Sequence, residues 1–261
     1  MSKMISSTQN SLVKHWAQLM DKSRTRRKEQ VFILEGVREF ELALKSGYEC
    51  QEMMICESII DPAVLTGLPE DNRTYCSKEV YEKLAYRKTT EGLLSKFKFK
   101  EHHLKNLILG DSPLILVAEA PEKPGNIGAL LRTADAANID AVIIANPRTD
   151  LYNPNIIRSS VGCVFTTQVA TGSTEEVLEY LKLHNIKSYA AALKDYALPY
   201  YSQDFKNASA IIVGTEADGL TDKWLNEVDQ TIIIPMEGAI DSMNVSVSAS
   251  VLIFEAKRQR L

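Results

Sequence analysis

Polar side chains that could hold a ligand are concentrated in three turns, and each turn follows a short apolar run. In sheets of parallel strands, ligands bind at the carboxyl ends of the strands, where such turns lie. The turns cover residues 119–128, 214–220 and 235–245. They are the places where the sequence predicts chemistry.

The first turn contains two prolines and two glycines and leads into a predicted helix. Asn126 is a candidate N-cap, since its side chain can accept from the first free backbone N–H groups. The apolar residues of this helix leave Arg132 on the opposite face, about 120° around the axis from Asn126. Helix spacing alone does not bring the two together. A capped helix with a solvated arginine explains the pattern equally well.

The second turn reads Gly214-Thr215-Glu216-Ala217-Asp218-Gly219-Leu220. Glycines on both sides of an acidic turn let the backbone approach a ligand closely. The glycine spacing does not match the G-x-G-x-x-G fingerprint of dinucleotide-binding folds. A plain strand-to-helix turn accounts for the pattern as well as a cofactor loop does.

The third turn, residues 235–245, contains Ser242, Met243 and Asn244 and precedes an ambiguous segment. The alternation in residues 245–251 favours a strand, whereas the continuation through residues 254–258 favours a helix. Periodicity leaves both readings open.

The composition indicates a globular protein: 261 residues, of which 45% are apolar, suffice for one large domain or two small ones. The longest apolar runs, such as Leu114–Ala118, are far too short to span a membrane. The first twenty residues are acid-poor, as in transit peptides, but an amphipathic first helix is favoured. We expect a cytoplasmic protein without membrane contact.

The cysteines and histidines form no ligand array. None of Cys50, Cys56, Cys76 and Cys163 forms a C-x-x-C pair, and the four histidines lie outside any H-E-x-x-H motif. Free thiols in a reducing compartment and no bound metal are expected.

Charge is distributed unevenly along the chain. Of the 30 basic and 34 acidic residues, residues 1–106 hold 18 and 15, which leaves 12 and 19 for the remainder. A mildly basic first part followed by an acidic second part suggests a division of labour. The difference alone is weak evidence for nucleic-acid binding.

The first part of the chain predicts a small mixed α/β domain. A helix is expected over residues 8–29, another from Val37 to Gly47, and a third from Ser77 to Leu84. Short strands are expected at 31–34, 53–56 and 73–76. We place this domain at residues 1–100 and a linker at 101–111, around the polar stretch 99–106.

Residues 112–261 predict an α/β domain with a mainly parallel sheet. Continuous apolar runs alternate with helical segments, as expected for strands covered on both faces. The predicted strands are 114–118, 141–145, 163–169, 188–193, 210–213 and 231–234. Ser173 begins a capping box, and Thr221 is a candidate cap for the helix that carries Trp224.

In order and position, the three turns resemble the signature motifs of the SpoU–TrmH family of RNA 2′-O-ribose methyltransferases, which belong to the SPOUT superfamily. The resemblance covers residues 112–258; Thr215 stands where the family often has Asn or Ser, and Met243 where it often has Leu. It implies a parallel-sheet domain with a deep trefoil knot, in which residues 244–258 form a threaded helix. It also implies a homodimer whose active site is completed across the interface. Residues 1–100 more loosely resemble the family's accessory domain, which is similar to kink-turn-binding ribosomal proteins.

The resemblance also implies the site. S-adenosylmethionine would bind at Gly214, Glu216, Gly219, Ile234, Met236, Ser242 and Met243. The catalytic set would be Asn126, Arg132, Glu216, Ser242 and Asn244, acting on attack of a ribose 2′-hydroxyl on the sulfonium methyl. A guanidinium resists deprotonation, so we prefer Arg132 as an electrostatic stabiliser of the developing alkoxide rather than as a general base.

RNA would be held by basic residues elsewhere. The densest cluster contains Arg24, Arg26, Arg27 and Lys28, and a second contains Arg87, Lys88, Lys96, Lys98 and Lys100 with Phe97 and Phe99 interleaved. Phosphate contacts and base stacking are the expected roles, although a solvated helix face explains either cluster as well. Arg158 is a further candidate for a phosphate contact near the active site.

Competing interpretations remain. A non-catalytic RNA-binding protein would be expected to lose the polar set first, and that set is present. A nucleotide-dependent dehydrogenase lacks its glycine fingerprint here. Among substrates, ribosomal RNA is favoured over transfer RNA because of the accessory domain. The sequence does not identify the target nucleotide.

Overall fold

The computed structural model describes residues 4–86, 91–215 and 217–261. Short 3-10 turns occur at Leu104–Asn106 and Tyr200–Ser202. The helices and strands follow in this order: β1 (Met4–Ile5), α1 (Ser11–Asp21), α2 (Ser23–Glu29), β2 (Val31–Glu35), α3 (Val37–Lys45), β3 (Cys50–Ile55), α4 (Pro62–Gly67), β4 (Arg73–Cys76), α5 (Lys78–Leu84), β5 (Leu93–Lys98), β6 (Leu114–Glu119), α6 (Pro124–Ala136), β7 (Ala141–Ala145), α7 (Pro154–Ser159), α8 (Cys163–Thr166), β8 (Val169–Gly172), α9 (Thr174–Leu183), β9 (Lys187–Ala191), β10 (Leu198–Pro199), β11 (Ser209–Val213), α10 (Asp222–Glu227), β12 (Gln230–Ile233) and α11 (Val245–Gln259).

The chain divides into two compact units. Unit 1 contains the residues up to Glu101 together with Asp150–Thr166, and unit 2 contains His102–Thr149 and Thr167–Leu261. The segment Asp150–Thr166, which carries α7 and α8, therefore packs with the N-terminal residues, although it was placed in the second domain from the sequence. Residues of the expected linker pack in unit 2, where Leu104, Leu107 and Leu109 lie against the core.

Unit 1 is built on a mixed sheet of five strands among the described residues, in the order β1-β4-β3-β5-β2. Helices α1 and α5 cover one face through Trp16, Leu19 and Tyr81. Side chains alternate along a strand, so Ile33 of β2 faces this core while Phe32 points to the other side. There Tyr152 stacks on Phe32, with ring centroids 4.3 Å apart. Both faces of β2 are thus buried, which explains its continuous apolar run.

The helix predicted over residues 8–29 is broken. Lys22 is extended, with φ −110° and ψ 107°, between α1 and α2. The Arg26 Nη1 atom donates to the carbonyl oxygens of Leu19 (2.7 Å) and Met20 (2.8 Å). These carbonyls lie in the last turn of α1, where backbone acceptors need partners from outside the helix. A side chain of α2 therefore supplies donors that a continuous helix would have supplied itself.

Arg26 has a structural role that corrects its predicted contact with RNA. The residue is only 1% exposed, and its Nε and Nη2 atoms donate to the two carboxylate oxygens of Asp150 at 3.1 and 2.8 Å. A fork of this kind satisfies a buried carboxylate with two parallel bonds. Because every nitrogen of the guanidinium is engaged inside unit 1, Arg26 does not belong to an RNA surface.

The expected base-stacking role of Phe97 is also wrong. Phe97 lies on β5, is fully buried, and stacks on Phe32 with centroids 5.9 Å apart. Lys96 on the same strand pairs with Glu52 at 2.9 Å. The basic and aromatic alternation of this segment is therefore that of a strand with one buried face, while Arg87 and Lys88 lie outside the described residues.

The predicted strand 163–169 is wrong over its first half. Residues Cys163–Thr166 form the short helix α8, and strand β8 begins only at Val169. Val161 and Gly162 precede α8 with positive φ angles of 54° and 83°. This sharp change of direction buries Cys163, Val164 and Phe165. Apolar content alone cannot distinguish such a buried turn from a strand.

Unit 2 is built on a parallel sheet whose described strands number seven, in the order β10-β12-β9-β11-β6-β7-β8. Ala190 of β9 pairs with Ile212 of β11 on one side and with Thr231 of β12 on the other. The described part of the sheet is parallel throughout, as the continuous apolar runs predicted. The carboxyl ends of β9, β11 and β12 are therefore neighbours at one edge.

The final segment forms helix α11, so the strand alternative for residues 245–251 is wrong. This helix contacts α6 and strands β6 and β11. Thr133 and Ser250 join the two helices with hydroxyl oxygens 3.0 Å apart, and Ala249 is fully buried. Small side chains permit the close approach, and they also produced the misleading alternation.

Replacing Arg26 by alanine should destabilise the protein by about 3–5 kcal/mol, because Asp150 would remain buried without its partner. Replacing the exposed neighbour Arg27 by alanine should change stability by no more than about 0.5 kcal/mol. Urea unfolding of both variants measures the difference. Equal stability of the two would show that the Arg26–Asp150 pair does not hold unit 1 together.

Candidate active site

Three loops follow the adjacent strands β9, β11 and β12 and line a cleft of about 400 Å³. The lining includes all described members of the predicted cofactor set: Gly214, Gly219, Ile234, Met236, Ser242 and Met243. Glu216, which was assigned both to the cofactor site and to the catalytic set, lies outside the described residues. A cleft of this volume lies within the range of small-molecule sites.

The loop after β11 is closed on itself by backbone hydrogen bonds. The Thr215 N–H donates to the Gly219 oxygen at 2.9 Å, and the Gly219 N–H donates back to the Thr215 oxygen at 3.2 Å. A Cβ atom on Gly214 would lie 2.2 Å from the Gly219 carbonyl, and Gly219 itself has φ +68°. Glycine at both positions is therefore a steric requirement of the loop. The Thr215 hydroxyl accepts from the Asp218 N–H at 3.0 Å, a role that an Asn or Ser side chain can also fill.

Glu119 anchors the end of this loop. This carboxylate lies at the end of β6 and is 2% exposed. One oxygen accepts from the Thr221 N–H at 2.8 Å, and the other accepts from the Thr221 hydroxyl at 2.8 Å and the Thr174 hydroxyl at 3.3 Å. Thr221 precedes α10 as predicted, but its hydroxyl is directed to Glu119 instead of capping the helix. The sequence analysis gave Glu119 no role.

The start of α11 meets the start of α6 beside the cleft. Asn244 is the N-cap of α11, and its Oδ1 atom accepts from the Ser246 N–H at 2.9 Å. Its Nδ2 atom donates to Oδ1 of Asn126 at 3.3 Å. Asn126 was predicted as the N-cap of α6 and is not, since the helix begins at Pro124 with Lys123 as its cap residue. The fold nevertheless brings together two amides that are 118 residues apart.

Arg132 lies two turns further along α6 and is exposed. The next residue, Thr133, faces Ser250 of α11, so Arg132 is on a helix whose orientation is fixed by α11. Asn126, Arg132 and Asn244 lie outside the residues that line the cleft. The structure thus joins Asn126 to Asn244 and gathers the cofactor set, while Arg132 projects from the same helix as Asn126.

The loop after β9 was missed by the sequence analysis. Residues 191–194 line the cleft, and Lys194 brings a positive charge opposite the acidic Asp218 and Asp241 of the other two loops. The run ending near Leu193 was recognised as a strand, but the order of strands was unknown. Its signal was the position of a lysine directly after a buried strand, which becomes informative only once β9 is known to lie between β11 and β12.

The described residues contain no group of three or more His, Cys, Asp or Glu side chains able to hold a metal ion. Within the same residues, no helix combines the length and apolar character needed to cross a membrane. The thiols of unit 1 are protonated, since burial raises the pKa of Cys50 to about 11 and that of Cys76 to about 12.

Comparison with known proteins identifies the family. The model of the SpoU rRNA Methylase family matches residues 113–254, and that of the MRM3-like substrate binding domain matches residues 10–95. Among similar proteins, the 23S rRNA (guanosine(2553)-2′-O)-methyltransferase RlmP of Bacillus subtilis is 30% identical over 98% of this chain and 99% of its own. The chain belongs to the SpoU rRNA Methylase family.

Other relatives cover the chain equally well. The 23S rRNA (uridine(2479)-2′-O)-methyltransferase of Streptomyces viridochromogenes is 24% identical over 97% of this chain and 92% of its own. A crystal structure of an RNA 2′-O ribose methyltransferase is 38% identical, with a TM-score of 0.85 over 98% of this chain and 99% of that one. An AdoMet-bound rRNA methyltransferase from Sinorhizobium meliloti shares the fold at 23% identity, with a TM-score of 0.90 over 100% of this chain and 99% of its own. Both units of the structure are thus found together in known folds.

Replacing Gly214 by alanine should weaken S-adenosylmethionine binding by at least about tenfold, because the new Cβ atom displaces the Gly219 carbonyl from its position. Gly110 provides a matched control, since a Cβ atom there meets nothing within 4 Å. Calorimetric titration of both variants measures the effect. Unchanged affinity of the Gly214 variant would show that this loop does not bind the cofactor.

Replacing Glu119 by glutamine should raise the KM for S-adenosylmethionine about tenfold while leaving kcat within about twofold. A glutamine amide that faces the Thr221 N–H or its hydroxyl replaces an acceptor by a donor, so the cofactor loop loses its anchor. Glu122, in the same turn but exposed, provides the control for a Glu-to-Gln change. A fall in kcat with KM unchanged would contradict the positioning role.

Proposed function

We propose that this protein transfers the methyl group of S-adenosylmethionine to a ribose 2′-hydroxyl of 23S ribosomal RNA. The reaction class follows from membership of the SpoU rRNA Methylase family. The choice of 23S rRNA rests on the relatives, whose names specify that substrate. The observation that carries the proposal is the convergence of three loops on one cleft, beside the contact between Asn126 and Asn244.

The cleft fits the cofactor by shape and by charge. The Gly214–Gly219 backbone forms a surface without Cβ atoms on which a planar adenosine can lie. Ile232, Ile233 and Ile234 provide an apolar wall, while Lys194 and Asp241 carry charges suited to a methionine carboxylate and ammonium group. When bound, the cofactor supplies an electrophilic sulfonium methyl. Gly214, Gly219, Ile234, Met236, Ser242 and Met243 hold it, together with Glu216.

The catalytic residues orient and stabilise the attacking hydroxyl. Asn126 and Asn244 fix the starts of α6 and α11 relative to each other and present amides toward the substrate ribose. Arg132 stabilises the developing alkoxide and the adjacent phosphate through its permanent charge. Ser242 and Glu216 complete the set at the cleft. The 2′-hydroxyl proton leaves to solvent or to a substrate phosphate rather than to Arg132.

The site is completed by a second copy of the chain. Val247 and Phe254 of α11 are 49% and 51% exposed, and a spacing of seven residues places them on one face of the helix. Exposed apolar side chains in such a row are typical of an interface. Arg132 is exposed on α6, the helix against which α11 packs. We expect a homodimer, and a trefoil knot in unit 2, which the fit to structures of this family supports.

RNA is bound largely by the N-terminal part of the chain. Residues 1–100 act as the substrate-binding domain, residues 101–111 as the linker and residues 112–261 as the methyltransferase domain of a cytoplasmic enzyme. The match of residues 10–95 to a substrate-binding domain supports this division. Arg24, Arg27 and Lys28 are exposed on α2 and contact phosphates, while Arg26 is excluded by its burial.

Incubating the protein with tritiated S-adenosylmethionine and unmodified 23S rRNA should label one position, which 2′-O-methyl mapping then identifies. Transfer RNA provides the comparison substrate. Labelling of tRNA alone would redirect the proposal within the family. Binding of the cofactor without methylation of either RNA would favour a non-catalytic RNA-binding protein.

Replacing Arg132 by alanine should reduce methyl transfer by about 100-fold or more, as expected for loss of a preorganised charge at the transition state. The affinity for S-adenosylmethionine should stay within about threefold, since Arg132 lies outside the cleft lining. Arg148, an exposed arginine of unit 2, provides the control. Parallel loss of cofactor binding and methyl transfer would sink the catalytic role of Arg132.

A further inference from the structure

An aromatic and a guanidinium group stand together on the surface of unit 1. Tyr86 follows α5 and is 49% exposed. The guanidinium carbon of Arg158, on α7, lies 5.4 Å from the centroid of the Tyr86 ring. Both residues are exposed or nearly so, although a cation over an aromatic face contributes little stability at an exposed site. The pair presents two planar groups to solvent.

Contacts within unit 1 hold the two residues in place. The Tyr86 N–H donates to Oε2 of Glu35 at 2.8 Å. The segment that carries Arg158 is fixed at Asp150, which pairs with Arg26, and the same guanidinium binds the Met20 carbonyl at the end of α1. The position of the pair is therefore determined by buried interactions rather than by the surface side chains themselves.

The space behind the pair is closed. Met20, Ile33, Glu35, Pro154 and Ile157 line a gap of only about 20 Å³ next to Tyr86 and Arg158. Such a gap has room for a single water molecule and for no organic ligand. A ligand of this surface must therefore lie on the outer, solvent-exposed side of the pair.

We infer that the Tyr86–Arg158 pair is a stacking site for an unpaired nucleobase of RNA. Every base has a π face, so tyrosine rings and guanidinium planes bind single-stranded RNA without reading its sequence. The exposed cations Arg24, Arg27 and Lys28 of α2 belong to the same unit and suit the phosphates of such a strand. This inference rests on the proposed RNA substrate and specifies it as containing an unpaired nucleotide. It also assigns to Arg158 a stacking role in place of the phosphate contact expected from the sequence.

The test measures fluorescence anisotropy of the full-length protein with a labelled 12-nucleotide single-stranded RNA, and with the same RNA annealed to its complement. Replacing Tyr86 by alanine should weaken single-strand binding about tenfold and leave duplex binding unchanged. Tyr86→Phe should restore single-strand binding, because the ring is kept. Arg158→Ala should weaken it, and Arg158→Lys should restore less than half of that loss, because lysine keeps the charge but not the plane.

Two controls give the result a single meaning. Tyr201, an exposed tyrosine of unit 2, should be replaceable by alanine without effect on single-strand binding. Thermal unfolding of Tyr86→Ala verifies that the variant is folded. Single-strand affinity equal to wild type in folded Tyr86→Ala, or equal losses for single strand and duplex, would overturn the inference.

Failure of the inference is separable from failure of the proposed function. If the wild-type protein methylates 23S rRNA and Tyr86→Ala binds single strands normally, the stacking site alone is refuted. If Tyr86→Ala loses single-strand binding selectively while the wild-type protein methylates no rRNA, the stacking site stands and the proposed reaction fails.

Discussion

The hydrogen-bonded order β11–β9–β12 is the constraint on which the site depends. These strands are parallel, so their carboxyl ends meet at one edge, and the loops that follow them must share a common space. The chain visits the strands in the order β9, β11, β12, so loops separated by about 20 residues become neighbours. The buried carboxylate of Glu119 then fixes the loop after β11 from the adjacent strand β6. A pocket for a small molecule is therefore a consequence of strand order, with one anionic anchor to hold its shape.

Unit 1 depends on a comparable long-range connection. The segment Asp150–Thr166 leaves the sheet of unit 2 after β7 and packs with N-terminal residues, where Tyr152 covers Phe32 and Asp150 pairs with Arg26. An ion pair buried to this extent is costly to break and contributes specificity as well as stability. It also places Arg158 in the substrate-binding unit although the sequence of the segment belongs to the methyltransferase half. The two halves of the sequence are thus interleaved in the fold rather than simply joined in series.

The sequence predicted local features more accurately than long-range ones. The strands 141–145 and 73–76, the capping box at Ser173 and the helix starting after Ser77 were correct because their signals lie within a few residues. Arg26 and Phe97 were misassigned because burial depends on partners far along the chain, and a basic cluster looks the same whether or not one member faces inward. Three cofactor loops were located, but the loop after β9 was not, since its place between β11 and β12 is a property of topology. The helical state of residues 245–259 followed from the family resemblance and not from periodicity, which small residues had obscured.

The central claim, that the loops after β9, β11 and β12 form the cofactor site, is tested most directly by a crystal structure of the protein with S-adenosylhomocysteine. The account predicts electron density for the adenosine against Gly214 and Gly219, with the amino-acid end near the charged residues Lys194 and Asp241. Density for the ligand at any other edge of the sheet, or an adenosine that touches only one of the three loops, would contradict it.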